Sequence, residues 1–80
     1  MLNKVLVVED EQLLAENLKD YLQVQELDVR IAHDGATGIG EAEQFAPDVV
    51  VFDYRLPDME GFEALEAIRQ NRNCHFVLIT

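Results

Sequence analysis

Cysteine is nearly absent from this sequence: Cys74 stands alone, so no internal disulfide can form, as suits a reducing cytosol. Basic residues are also scarce. The 6 Lys and Arg face 16 Asp and Glu, a formal charge of −10. That balance argues against direct binding to nucleic acid or to an anionic membrane, since both need a basic patch. It suits a metal cation or a basic partner surface, and equally plain solubility. No apolar run is long enough to span a bilayer. The opening MLNKVLVVEDE is no signal peptide, because acids follow its short apolar run at once. Low-complexity tracts, internal repeats and Pro-, Gly- or Ser-rich linkers are missing too. The glycines match neither GxxxxGK[ST] nor GxGxxG, which leaves no nucleotide-phosphate loop.

What the chain does have is apolar residues, 49% of 80, enough for one small globular domain over residues 1–80. Val5 to Val8 is a continuous apolar run ending in Glu9, Asp10 and Glu11, which reads as a strand buried on both faces. From Gln12 to about Gln25, Leu14, Leu18, Tyr21 and Leu22 recur at helical spacing. Val29 to Ala32 predicts a second strand, and Asp34-Gly35 opens a second helix over 36–45. Gly38 and Gly40 weaken that helix by ~1 kcal/mol each, and Pro47 stops it. Val49 to Phe52 is the third strand, ending on Asp53. After a loop at Leu56-Pro57-Asp58, the third helix runs from Glu60 to about Gln70, with Phe62, Leu65 and Ile68 facing the core. Phe76 to Ile79 is the fourth strand. Strictly alternating strands and helices with short links imply an α/β fold: a three-layer parallel sheet with helices on both faces. Ligands of such sheets bind beyond the carboxyl ends of the strands. Glu9, Asp10, Asp53 and Thr80 all stand at such ends.

Carboxylates gathered at one sheet edge repel one another and raise each other's pKa values. A hard divalent cation resolves this, and magnesium prefers carboxylate oxygens and binds phosphate readily. Glu9, Asp10 and Asp53 therefore read as a magnesium site, and a carboxylate beside it could attack phosphorus to form an acyl phosphate. Taken singly, each residue has a plainer explanation. Asp10 could cap the first helix, Glu9 could be merely solvated, and the Thr80 hydroxyl could be structural. Asp53 resists such treatment, because a turn residue normally follows a run like VVVF. The joint pattern at one edge is what favours chemistry. His33 and His75 read as surface or packing residues, Cys74 as inert, and Met59 as a gap-filling contact.

With these residues on view, the chain resembles the receiver domain of two-component response regulators. VLVVEDE is similar to that family's first strand and acidic pair. FDYRLPDMEG is similar to its phosphoacceptor signature, with Pro57 four and Gly61 eight residues after Asp53. PDVVVFD and VLIT match as well. The resemblance implies a flavodoxin-like strand order of 2-1-3-4. It also implies that Asp53 accepts phosphate from a sensor histidine kinase or a phosphotransfer protein. Magnesium would be held by Asp10, Asp53 and the backbone carbonyl of Arg55, with Glu9 acting through a bound water. Thr80 would be the switch hydroxyl. The Arg55 side chain, two residues past the acceptor, could tune the lifetime of the acyl phosphate. The implied place is the cytoplasm, with regulation of transcription as an output, and without contact to membrane or nucleic acid by this domain.

The family pattern continues past Thr80 with a fifth strand ending in a lysine and two further helices. The sequence is thus expected to be a receiver that is incomplete at its C-terminus, with the fifth strand absent. Its fourth strand would be a bare apolar edge prone to self-association. Glycine is usual where the first helix turns into the second strand, and here the chain has Gln25-Glu26-Leu27. Two alternatives to a signalling switch remain: a degenerate receiver acting only through protein contacts, and an aspartyl-nucleophile phosphatase. The phosphatase pattern needs a second acid two residues after the nucleophile, and Arg55 stands there instead.

Overall fold

The structure is a computed structural model that describes residues 3–71 and 73–79. Four strands, β1 (Lys4–Val8), β2 (Asp28–Ala32), β3 (Val49–Asp53) and β4 (His75–Ile79), form one parallel sheet in the order β2-β1-β3-β4. Helices α1 (Gln12–Val24), α2 (Gly35–Phe45) and α3 (Gly61–Asn71) provide the crossovers. This is the flavodoxin-like arrangement. α1 covers one face, where Ala15, Leu18 and Leu22 meet Val5, Val7 and Val29. α2 and α3 cover the other, against Leu6, Val8, Val50 and Phe52. β1 lies between two neighbours and under helices on both sides, so Val5 to Val8 are all buried and show no polar alternation. Burying each such side chain stabilises the fold by about 1.5–3 kcal/mol.

Two helical faces differ from expectation. Tyr21 and Leu14 of α1 are 65% and 39% exposed, and the inward stripe is Ala15, Leu18 and Leu22. The small Ala15, wholly buried, lets the helix approach the sheet, which rotates the stripe past Tyr21. On α3, Phe62 is 51% exposed, while Ala64 and Ile68 are buried. Phe62 instead lies edge-on to Phe52 and Tyr54, with centroids 6.5 and 5.9 Å apart.

The link after α1 works without glycine. Glu26 takes a left-handed φ of 64°, its N–H donates to the Gln23 carbonyl, and the Leu27 N–H donates to that of Leu22. This pair of bonds is a Schellman motif, closed by Leu22 and Leu27 packing into one cluster. α2 begins one residue earlier than expected, at Gly35, with the Asp34 carboxylate accepting from the Thr37 N–H at 2.7 Å. Its weak-looking Gly38 has a purpose, since a Cβ there would meet the Val8 methyls at 3.0 and 3.1 Å. At the far end of the sheet, the Asp48 carboxylate accepts from the Asn3 and Lys4 N–H groups at 2.9 and 3.0 Å, tying β1 to the start of β3. β4 pairs with β3 alone among the described residues, and its Val77 and Leu78 are 46% and 42% exposed.

Candidate functional site

β1 and β3 are neighbours with Val8 opposite Phe52, so the residues that follow them emerge side by side. This is also where strand order reverses, β2 lying on one side of β1 and β3 on the other. Glu9, Asp10 and Asp53 each place a carboxylate oxygen within 4.8 Å of the other two. Among the described residues, the structure thus brings together the three acids singled out from the sequence. Thr80 lies outside the described residues.

The three carboxylates differ in setting. Asp10 is exposed, Asp53 is half-buried, and Glu9 is only 3% exposed. Burial pushes the Glu9 carboxyl above its ordinary range, and the negative charges of Asp53 and Asp10 push the same way. The Glu11 N–H, which donates to Glu9 Oε2 at 3.0 Å, opposes them. Asp10 is not a helix cap: the residue in that position is Glu11, whose side chain makes no capping bond. A buried carboxylate crowded by two others, with oxygen the sole donor type, fits a hard divalent cation.

The loop after β3 is shaped by its glycine. The Gly61 N–H donates to the Tyr54 carbonyl at 2.7 Å, and the Leu56 N–H donates to that of Met59 at 3.0 Å, closing the turn through Pro57 and Asp58. A Cβ on Gly61 would strike the Asp53 carbonyl oxygen and come within 2.8 Å of the Phe52 ring. The eight-residue spacing from Asp53 to Gly61 is therefore a contact. Arg55 pairs with Glu60 in an isolated antiparallel bridge and is exposed. It lines an open groove of about 340 Å³ with Tyr54, Leu56, Met59, Glu60 and Glu63.

Two residues beside the site escape sequence reasoning. The Asp58 carboxylate accepts from the Gly35 and Ala36 N–H groups at 2.7 and 2.9 Å, capping α2 from the β3–α3 loop. Both bonds hold its carboxyl below the usual range. His33 is exposed, as expected, yet its Nδ1 donates to the Glu9 carbonyl at 3.0 Å. Neither partner is near in sequence, so no local pattern signals them.

A doubly wound parallel sheet with an acidic cluster at its switch point defines a class of ligand-binding α/β domain. Residues 5–80 match the family described as the response regulator receiver domain, and the chain belongs to that family. The transcriptional regulatory protein TrcR of Mycobacterium tuberculosis is 40% identical over 85% of this chain and 26% of its own length. The response regulator ArlR of Staphylococcus saprophyticus is 37% identical over 99% of this chain and 36% of its own. The response regulator domain of Thermotoga maritima CheB superposes with a TM-score of 0.90 at 30% identity, covering 98% of this chain and 60% of that one. The chain thus spans about a quarter to a third of the length of these curated relatives. No helix among the described residues is long and apolar enough to cross a membrane.

Proposed function

We propose that this domain is a phosphoacceptor switch in a cytoplasmic two-component phosphorelay, with Asp53 receiving a phosphoryl group from a histidine of a sensor kinase or phosphotransfer protein. The observation that carries this reading is the convergence of Glu9, Asp10 and Asp53 within 4.8 Å at the switch point. Asp10, Asp53 and the backbone carbonyl of Arg55 would hold Mg2+, with Glu9 reaching it through a water. When bound, the cation neutralises the acids and the incoming phosphoryl oxygens. An Asp53 carboxylate oxygen attacks phosphorus in line. The P–N bond to the donor histidine breaks as the acyl phosphate P–O bond forms, and the imidazole nitrogen keeps the electron pair. β3, paired with β1 on one side and β4 on the other, holds Asp53 in position for this attack.

Thr80 would take the switch role by hydrogen-bonding the phosphoryl group. Arg55 is exposed on the loop past the acceptor and would tune acyl-phosphate lifetime; equal dephosphorylation rates for Arg55→Ala and the parent would remove that role. Regulation of transcription is the proposed output, through parts of a longer protein. Either further parts of a longer protein cover the β4 edge or that edge serves self-association, which light scattering of the 80-residue chain reads directly, a stable, soluble monomer counting against both.

The test is beryllofluoride binding in the presence of Mg2+. The parent should bind, and Asp53→Asn should not. A parent that fails to bind would leave a domain acting through protein contacts alone. Multiple-turnover hydrolysis of added phosphoesters would favour a phosphatase instead.

A further inference from the structure

The acids of the site lie on two segments, Glu9 and Asp10 in the loop after β1 and Asp53 at the end of β3 where the β3–α3 loop begins, and something must set their spacing. Both loops rest on one short segment, the turn from β2 into α2 at residues 33–36. On one side, Glu9 is gripped by its backbone at both ends: its N–H donates to the Ala32 carbonyl at 2.9 Å, and its carbonyl accepts from His33 Nδ1 at 3.0 Å. On the other side, Asp58 accepts from the Gly35 and Ala36 N–H groups at 2.7 and 2.9 Å. Met59 packs where a Gly35 Cβ would otherwise sit, so the β3–α3 loop lies flush on the same turn.

We propose that the β2–α2 turn is a brace that sets the separation of the two halves of the cation site, with His33 and Asp58 as its positioning residues. The inference rests on the proposed function, since it takes the acids as a cation site. Neither residue would touch the cation. His33 fixes the plane of the Glu9–Asp10 peptide and so the direction in which both side chains leave it. Asp58 fixes the turn at Pro57, and with it Arg55 and the end of β3. A carbonyl only accepts, so the bond requires a proton on Nδ1, with Nε2 facing away.

The test uses Mn2+ alone, titrated by calorimetry into the parent, His33→Ala, His33→Asn and Asp58→Ala. In asparagine, the carboxamide nitrogen lies as many bonds from Cα as Nδ1 does, so it can keep the bond. His33→Ala should weaken Mn2+ binding by about 10-fold, the low end for groups that orient metal ligands, because it acts through the backbone. His33→Asn should restore the parent affinity, and Asp58→Ala should weaken binding in the same direction. Both residues are exposed, so the fold should persist in every variant. A second readout uses the unaltered, metal-free chain: nitrogen-15 correlations of His33 at about pH 8.5, above the ordinary histidine range, should show the Nδ1–H tautomer. The brace is overturned if either alanine variant binds within twofold of the parent, if asparagine fails to restore binding, or if the proton is on Nε2. A parent that binds no Mn2+ removes the proposed function and this inference together. A parent that binds while the variants match it removes only the brace.

Discussion

Replacing Gly61 by alanine should destabilise the domain and damage its site, and the same change at Gly40 should do neither. Neither glycine needs a left-handed backbone, so the contrast is one of space. A Cβ at 61 would strike the Asp53 carbonyl oxygen, with Phe52 Cδ2 2.8 Å away, and backbone cannot rotate aside. Overpacking of this kind costs about 1–3 kcal/mol. Alanine returns up to about 1 kcal/mol through helix propensity, and less at the first helical residue. A net loss of about 1–2 kcal/mol follows. For a domain of this size, that lowers Tm by roughly 4–16 °C. At Gly40 a Cβ meets nothing within 4 Å, so Gly40→Ala should gain up to about 1 kcal/mol and raise Tm by roughly 4–8 °C. Thermal melts followed by circular dichroism give both signs. Because the struck atom belongs to Asp53, Gly61→Ala should also weaken Mn2+ binding, and Gly40→Ala should leave it unchanged. A Gly61→Ala variant with the parent's Tm would refute the reasoning.

Three further expectations follow from the same geometry. Asp53→Asn removes a charge from the crowded cluster, so without metal it should raise Tm slightly; saturation with Mg2+ at 100 times Kd should stabilise the parent by about 2.7 kcal/mol and leave this variant unmoved in differential scanning calorimetry. The Asp48 and Asp58 carboxyls are depressed by backbone N–H donors, so their contribution is present above the unfolded carboxyl pKa and is lost as pH falls through the folded values. Urea melts of Asp48→Asn across that acid window should therefore show a shallower loss than the parent, whereas Glu9, shifted upward, is relieved by protonation as pH falls. Finally, Tyr21→Ser should change stability by under about 0.5 kcal/mol, while Ala15→Leu should cost about 1–3 kcal/mol by overpacking, and equal melts for the two would contradict the orientation of α1.

Much of the molecule is legible in the order of its residues. The run at Val5 marks a strand buried on both faces, the run at Val49 marks a strand with Val50 and Phe52 buried and Val49 and Val51 half-buried, and strict alternation with helices implies a parallel sheet. Glu9, Asp10 and Asp53 could be picked out because acids rarely end such strands. Helix faces were less legible. Leu14, Leu18, Tyr21 and Leu22 satisfy helical spacing as well as Ala15, Leu18 and Leu22 do, and hydrophobicity alone cannot reveal that a small alanine is the α1 residue buried against the sheet.

By itself, the sequence determined the element types, their order and the acids that the strands deliver, because these depend on local propensity and on periods of 2 and 3.6 residues. Tertiary structure decided the rest. It placed β1 beside β3, so acids more than forty residues apart converge within 4.8 Å. It made Gly61 necessary through a contact with Asp53, and it gave His33 a partner on the loop after β1 and Asp58 its partners at the start of α2. Such contacts depend on distances between elements distant in the chain, and local pattern carries no record of those distances.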